Sequence, residues 1–285
     1  MTAYVDGGHV VPMSLRGTDL DPGPHGPPAI TRSVDHWYTY TDPITGERAT
    51  YPGATGILKV LDKSDALMAW AANNAAEAAI ELAASKVGAY SALEILLDVV
   101  GPEGVQRALT SRSGWKRDEA AALGSRVHGW ADKLLTTGLT AEDMAGMEPG
   151  TVKRIEAYAK WWDASGWRLR LSEAMVVFPS AGYGGTFDLL AYDADGRTVL
   201  ADLKTGSNVY REAILQLASY GMAPLVQPAG SDTVYPMPEP DRYVVLHVMA
   251  TKVKEIEVSV GEAERMAFLD CIDLHRWMQK TAGRL

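Results

Sequence analysis

In the segment ADLKTG, Asp202 and Lys204 stand two residues apart on a strand-like run, so both side chains leave the same face. Alone, a carboxylate beside an ammonium can be a solvated sheet face, and the pair is a weak signal. Asp188, in GGTFDLLA, changes that reading. It lies on the preceding strand-like run, with a hairpin signal at Asp195-Gly196 between the two. Antiparallel pairing would bring Asp188 close to Asp202. Two ionised carboxylates converging inside apolar strands repel each other unless a cation sits between them. With a lysine beside them they are a chemical minimum for metal-assisted phosphodiester hydrolysis. The carboxylates hold Mg²⁺ or Mn²⁺, the ion activates water and neutralises charge on the phosphate, and the lysine orients the water or stabilises the transition state. Gln216 and Tyr220 lie four residues apart on the next helical run and share a face; taken alone, they read as half-buried packing residues. Gly184 and Gly185 precede Asp188 and permit close approach of a backbone or a nucleic-acid strand, or else mark a strand-entry turn.

The elements that must position these residues follow from pattern. Residues 1–35 are Gly- and Pro-rich (DPGPHGPPAI), without helical or strand period, and read as an irregular N-terminal arm. Aromatic, Thr-rich runs around Asp-Pro-Ile-Thr-Gly-Glu predict a hairpin over about 36–52. An Ala-rich helix is expected from Asp65 to about Val87, with Ser64 and Asp65 as cap candidates. Further helices are expected at 91–99, 102–110, from Arg117 to Gly138, and at 150–165 ending at Gly166. From residue 168 the period changes to that of strands: RLRLSEAMVVFP, GGTFDLLAYD and RTVLADLKTG. A helix over VYREAILQLASYGMA, two strands (DRYVVLHVMA, KVKEIEVSV) and a terminal helix complete an α/β chain with a helical N-terminal half.

The 285 residues allow one large domain or two small ones. With 47% apolar and 22% charged residues the composition is that of a globular protein, and no apolar stretch matches a membrane span. The N-terminus lacks a basic segment followed by an apolar core, so no secretory signal is expected and a cytoplasmic location is. One cysteine, Cys271, excludes an internal disulfide or a multi-thiolate metal site. The formal net charge of -9 argues against coating nucleic acid by bulk electrostatics, and less against a nuclease, whose bound cations reverse the local sign.

Four motifs in order now resemble the PD-(D/E)xK nuclease superfamily, and most closely its RecB-like, phage-exonuclease branch, related to the exonucleases of CRISPR adaptation. They are Gly124-Ser-Arg-Val-His128, Asp188 in its strand, Asp202-Leu-Lys204, and Gln216-Leu-Ala-Ser-Tyr220. The likeness is sharpest over 184–223 and reaches back to about 120; PGATGILKVLDKSDALMAWAANNAAEAA also looks like the N-terminal segment of phage-type members. The resemblance implies a restriction-endonuclease-like core, a central mixed sheet flanked by helices. In it His128, Asp188, Asp202 and the Leu203 carbonyl would bind Mg²⁺ or Mn²⁺, one or two ions. Lys204 would be the catalytic lysine, and Gln216 and Tyr220 would position the site or contact DNA. Iron–sulfur relatives use four cysteines, and this chain has one. It also carries no helicase motif.

For several residues a plain reading stands beside the functional one. His128 is a metal ligand or a satisfied helical histidine. Glu173, at the start of the first strand, binds metal or supports the ligands, or is an ordinary exposed carboxylate. Lys116, Arg117 and Arg126, with Arg112, Arg168 and Arg170, line a DNA groove or are solvated. Trp161 and Trp162 are core or a base-stacking platform. The expectation is an arm over 1–35 and one nuclease domain over 36–285, with a hairpin and helical part at 36–166 and a catalytic sheet core at 167–285. The expected activity is metal-dependent cleavage of DNA, exonucleolytic on linear DNA, in phage-type recombination or DNA processing. A recombination partner protein or a homo-oligomer would fit that setting, and the location would be a host cytoplasm if the chain is viral. The alternatives are a catalytically silent DNA-binding or assembly module of the same fold, and a hydrolase of small phosphoesters.

Overall fold

The computed structural model describes residues 30–42, 44–61 and 64–282, so the expected arm lies outside the described residues as far as residue 29. In chain order the elements are β1 (Thr31–Arg32), β2 (Trp37–Thr41), β3 (Arg48–Pro52), α1 (Ala54–Ile57), a 3-10 turn (Leu58–Val60) and α2 (Ser64–Ala84). There follow β4 (Lys86–Val87), β5 (Tyr90–Ser91), α3 (Ala92–Thr136), α4 (Ala141–Gly146) and α5 (Pro149–Ser165). The remainder is β6 (Arg168–Phe178), β7 (Tyr183–Tyr192), β8 (Thr198–Lys204), α6 (Glu212–Met222), β9 (Leu225–Gln227), β10 (Tyr235–Pro236), β11 (Arg242–Val248), β12 (Val253–Val258) and α7 (Glu262–Thr281). Two compact units result. One is Asp62–Leu123; the other joins the described residues up to Leu61 with those from Gly124 onward.

The smaller unit holds α2, the β4–β5 hairpin and the first part of α3. Ser91 caps α3 reciprocally, its Oγ receiving the Glu94 amide while Glu94 Oε2 accepts from the Ser91 amide and hydroxyl. Gly101 (φ 71°, ψ 174°) breaks the helix, and Pro102, whose missing N–H costs nothing in a first turn, restarts it. The gap expected between 110 and 117 is absent, for Ser111, Ser113 and Gly114 stay helical and α3 runs on to Thr136. Arg112 pairs with Glu81 at 2.6 Å and Lys116 with Glu77 at 3.2 Å, joining α3 to α2.

In the larger unit a seven-stranded mixed sheet has the order β10-β9-β6-β7-β8-β11-β12, with β8–β11 parallel and the other pairs antiparallel. An α/β fold with a mixed sheet is therefore observed. The amphipathic helices α6 and α7, with α1, cover a core of Phe187, Leu190, Leu200, Leu217, Val245 and Phe268. Helix α5 packs on β11 and β12, burying Ile155 and Tyr158, and ends at Gly166 in the left-handed conformation (φ 69°). Thr140 and Asp143 form a capping box that starts α4, a helix absent from the expectation although Thr-x-x-Asp is a legible signal.

Thr31 and Arg32, at the end of the expected arm, pair with β2 in a small sheet β1-β2-β3. Ile30 is buried before them and held at both backbone groups by the Gln227 side chain. A parallel bridge from Gly53 to Gly184 joins this sheet's exit to β7.

The two glycines before Asp188 have a specific cause. A Cβ on Gly184 would stand 2.6 Å from Tyr38 Cβ, and one on Gly185 would strike the Tyr220 ring on the other face. The close approach there is thus by two tyrosines. Gly185→Ala is expected to destabilise the protein by about 1–3 kcal/mol, the usual cost of overpacking. Gly129→Ala, in α3 with nothing within 4 Å of the added methyl, should be neutral or stabilising by up to ~1 kcal/mol. Urea midpoints decide, and a Gly185→Ala midpoint at or above that of Gly129→Ala would refute the argument.

Candidate functional site

Asp188 reaches its place through an irregularity. Phe187 and Leu190, three residues apart, both face the α6–α7 core, so β7 changes face between them. Strand β6 does the same between Leu171 and Ala174, the partners of Leu190 and Phe187. Glu173 lies between them at φ 48°, a left-handed conformation that a non-glycine residue adopts at a cost of about 1–3 kcal/mol. By position Glu173 stands opposite Asp188, and like charges so placed repel. The two carboxylates meet His128, from α3, in one cluster. Ligand atoms of His128, Glu173 and Asp188 all lie within 4.8 Å of one another. A cavity of about 10 Å³, one water-sized particle, opens beside them with Tyr158, Asp132 and Leu203 in its wall.

Pairing of β7 with β8 stops at Leu189/Ala201. Past that point Asp188 Oδ2 accepts the Leu203 amide at 2.6 Å, in place of a strand carbonyl, and Asp188 Oδ1 lies 3.1 Å from His128 Nδ1. Asp202 keeps the alternation of Leu200. It is buried, and its Oδ2 lies 2.6 Å from Lys204 Nζ. Lys204 Nζ also donates to Gln216 Oε1 at 3.1 Å, and the Gln216 amide donates to Tyr220 Oη at 2.9 Å. Gly124, one turn before His128, is where α3 passes the strand end: a Cβ there would lie 3.3 Å from Thr205 Oγ1.

The charges follow from this geometry. Asp188 beside it pushes the His128 imidazole up to about 9, against burial, so without a metal the ring is a cation. Burial, then Asp188, pushes Glu173 up to about 7. Asp188 itself stays below the usual carboxylate range: burial opposes ionisation, but His128, Lys204 and the Leu203 amide together outweigh it. Burial pushes Asp202 up to about 6, with Lys204 pulling the other way. Lys204 is held above its ordinary value because Asp202 and Asp188 outweigh its own desolvation. Tyr220 is raised by burial. One nitrogen and several carboxylate oxygens, sharing protons that a cation could displace, suit a hard or borderline divalent ion such as Mg²⁺ or Mn²⁺.

Of the residues singled out for metal binding, the structure gathers His128, Glu173 and Asp188. Asp202 is turned to Lys204, and Leu203 contributes its amide to Asp188. Gln216 and Tyr220 stand behind Lys204, Tyr220 at 2% exposure. The expected DNA contacts are mostly engaged elsewhere: Arg126 with Glu148 at 2.7 Å, Lys116 with Glu77, and Arg117 with its neighbour Asp118 at 3.2 Å. Arg168 and Arg170 stack on Tyr192. Trp161 packs edge-on against Trp167 and donates to Glu255 at 2.9 Å, a packed rather than an open ring. Two site neighbours were missed. Asp132 follows His128 by one helical turn, a spacing visible in the sequence. Arg32 places Nη1 3.5 Å from Thr186 Oγ1, and its charge favours ionised Glu173; nothing local in the sequence announces it.

No protein-family description matches this chain, and no curated protein matches it. Among the described residues no helix is long and apolar enough to cross a membrane.

Proposed function

We propose that the chain is a metal-dependent deoxyribonuclease of the PD-(D/E)xK type, with a restriction-endonuclease-like core, acting on linear DNA as an exonuclease. The observation that carries this reading is one juxtaposition. The His128–Glu173–Asp188 cluster adjoins, through Asp188 and Leu203, a buried Asp202 whose carboxylate lies 2.6 Å from the half-buried Lys204 ammonium. His128, Glu173 and Asp188 would hold a Mg²⁺ or Mn²⁺ ion. Bound there, the ion supplies Lewis-acid neutralisation of charge on a phosphodiester. Lys204, kept cationic by Asp202 and aimed by Gln216, stabilises charge developing on the phosphate oxygens. Asp202 holds that ammonium in one place, so little reorganisation is needed when charge develops. Tyr220 fixes the Gln216 amide, so that its oxygen faces Lys204.

The phage-type setting, and a recombination partner or homo-oligomer, belong to this reading through the sequence resemblance alone. Linear double-stranded, linear single-stranded and closed circular DNA, each incubated with Mg²⁺, Mn²⁺ or EDTA, test it. Metal-dependent loss of linear but not circular DNA is expected. Nicked circles would make the enzyme an endonuclease, and no cleavage under any condition would leave a silent binding module.

A further inference from the structure

We propose that Asp132 is a positioning residue that holds a hydrated divalent cation at the His128–Glu173–Asp188 cluster by accepting a hydrogen bond from the ion's water; this rests on the metal-site reading above. The starting point is an anomaly. Asp132 Oδ1 is buried and has no hydrogen-bond partner. A buried carboxylate oxygen without a donor forfeits the hydration it had in the unfolded chain, and such atoms are uncommon enough to require a cause. The place of Asp132 supplies one. It stands one turn beyond His128 on the same face of α3 and lines the same cavity as His128, Glu173 and Asp188.

The remaining walls around it are Ala131, Leu135, Tyr158, Ser172 and Leu203; the Ser172 hydroxyl donates to the Asp188 carbonyl, and no protein donor reaches Oδ1. Asp132 is also outside the trio whose ligand atoms lie within 4.8 Å of one another. A carboxylate that faces the site from beyond the direct ligands meets the ion's water rather than the ion. Carboxylates in that outer position typically change metal affinity 10–100-fold when removed. Mg²⁺ gives up its water reluctantly and keeps several molecules when bound, so Asp132 should weigh more on Mg²⁺ than on Mn²⁺, which imidazole also suits better.

Calorimetric titration of the wild-type, Asp132→Ala and Asp132→Asn proteins with MgCl₂ and with MnCl₂ tests this. The alanine protein is expected to bind Mg²⁺ about 10–100-fold more weakly and Mn²⁺ within about 3-fold of wild type. Asparagine keeps an acceptor oxygen and should restore most of the Mg²⁺ affinity. Asp132→Leu, which fills the space without an acceptor, gives the same reading if the alanine chain does not fold. Unchanged Mg²⁺ affinity, equal losses for both metals, or a fall in stoichiometry from two ions to one would overturn the role; the last would make Asp132 a direct ligand of a second ion. A wild-type protein that binds neither metal overturns the metal site itself, and this role with it.

Discussion

The Lys204→Met protein is expected to fold and to bind Mn²⁺, yet to cleave linear DNA at least ~10³-fold more slowly than wild type. Removing one preorganised donor from a developing oxyanion typically costs about 10²–10³ in rate, and Lys204 adds a full charge to that donor. Methionine matches the lysine stem in length but leaves Asp202 without its counter-ion. Asp202 already titrates near 6, so proton uptake limits the damage, and unfolding by urea should shift only modestly. Adding Asp202→Asn should restore stability and leave activity lost, which separates the electrostatic role from the structural one. Arginine should not rescue, because a planar fork cannot replace a point charge held between Asp202 and Gln216. Cleavage within tenfold of wild type in Lys204→Met would remove this lysine from the chemistry.

The second large effect is on stability and depends on pH. Three groups have folded values above their ordinary ones: Asp202 at about 6 against 3.8, Glu173 at about 7 against 4.5, and His128 at about 9 against 6.5. Each contributes stability that is fully present below the lower value and is lost as pH rises through the higher one. Asp188 has the opposite sign, its contribution being present above 3.8 and lost on acidification. Above pH 7 the remaining loss belongs to His128. The metal-free protein should therefore lose thermal stability between pH 6.5 and 9. A divalent cation that takes the place of the site's protons should raise Tm, and more so at pH 8.5 than at pH 6. At a hundredfold excess over Kd the gain is about 2.7 kcal/mol, on the order of 5–10 °C for a unit of this size. Scanning calorimetry with and without MnCl₂, beside Asp188→Ala, measures it. An increment independent of pH, or equal in the variant, would show that the ion binds elsewhere.

Much of the sheet could be read in advance, because β6, β7 and β8 carry strong β-branched and aromatic patterning and Asp195-Gly196 marks the turn between the last two. Gly166 likewise announces the end of α5, since its left-handed φ suits glycine. The site was legible as residue types and not as geometry. Strict alternation puts Asp188 on the face of Leu190, under α6. The paired change of face at Glu173 and Asp188 instead turns it to His128, and no local sequence signal encodes a left-handed glutamate. Asp202 keeps the alternation of Leu200 and meets Lys204, while its charge still acts on Asp188 and His128. Charge alone does not show where an arginine is engaged: Arg126 and Arg117 look alike in sequence, yet one is tied to the distant Glu148 and the other to its own neighbour Asp118. Short elements such as β9, β10 and α4 fall below the length at which periodicity carries information.

The single parallel pair in the sheet has a consequence for how the molecule is made. β6–β7, β7–β8 and β11–β12 are joined by short connections and can close early, each as a hairpin. The β8–β11 seam joins Val199 to Arg242 across the whole of α6, β9 and β10, so its loop must be ordered before the seam is rewarded. Lys204 stands at the end of that seam, opposite His247. The lysine should thus be seated late in folding, after Glu173 on β6 and Asp188 on β7 have met.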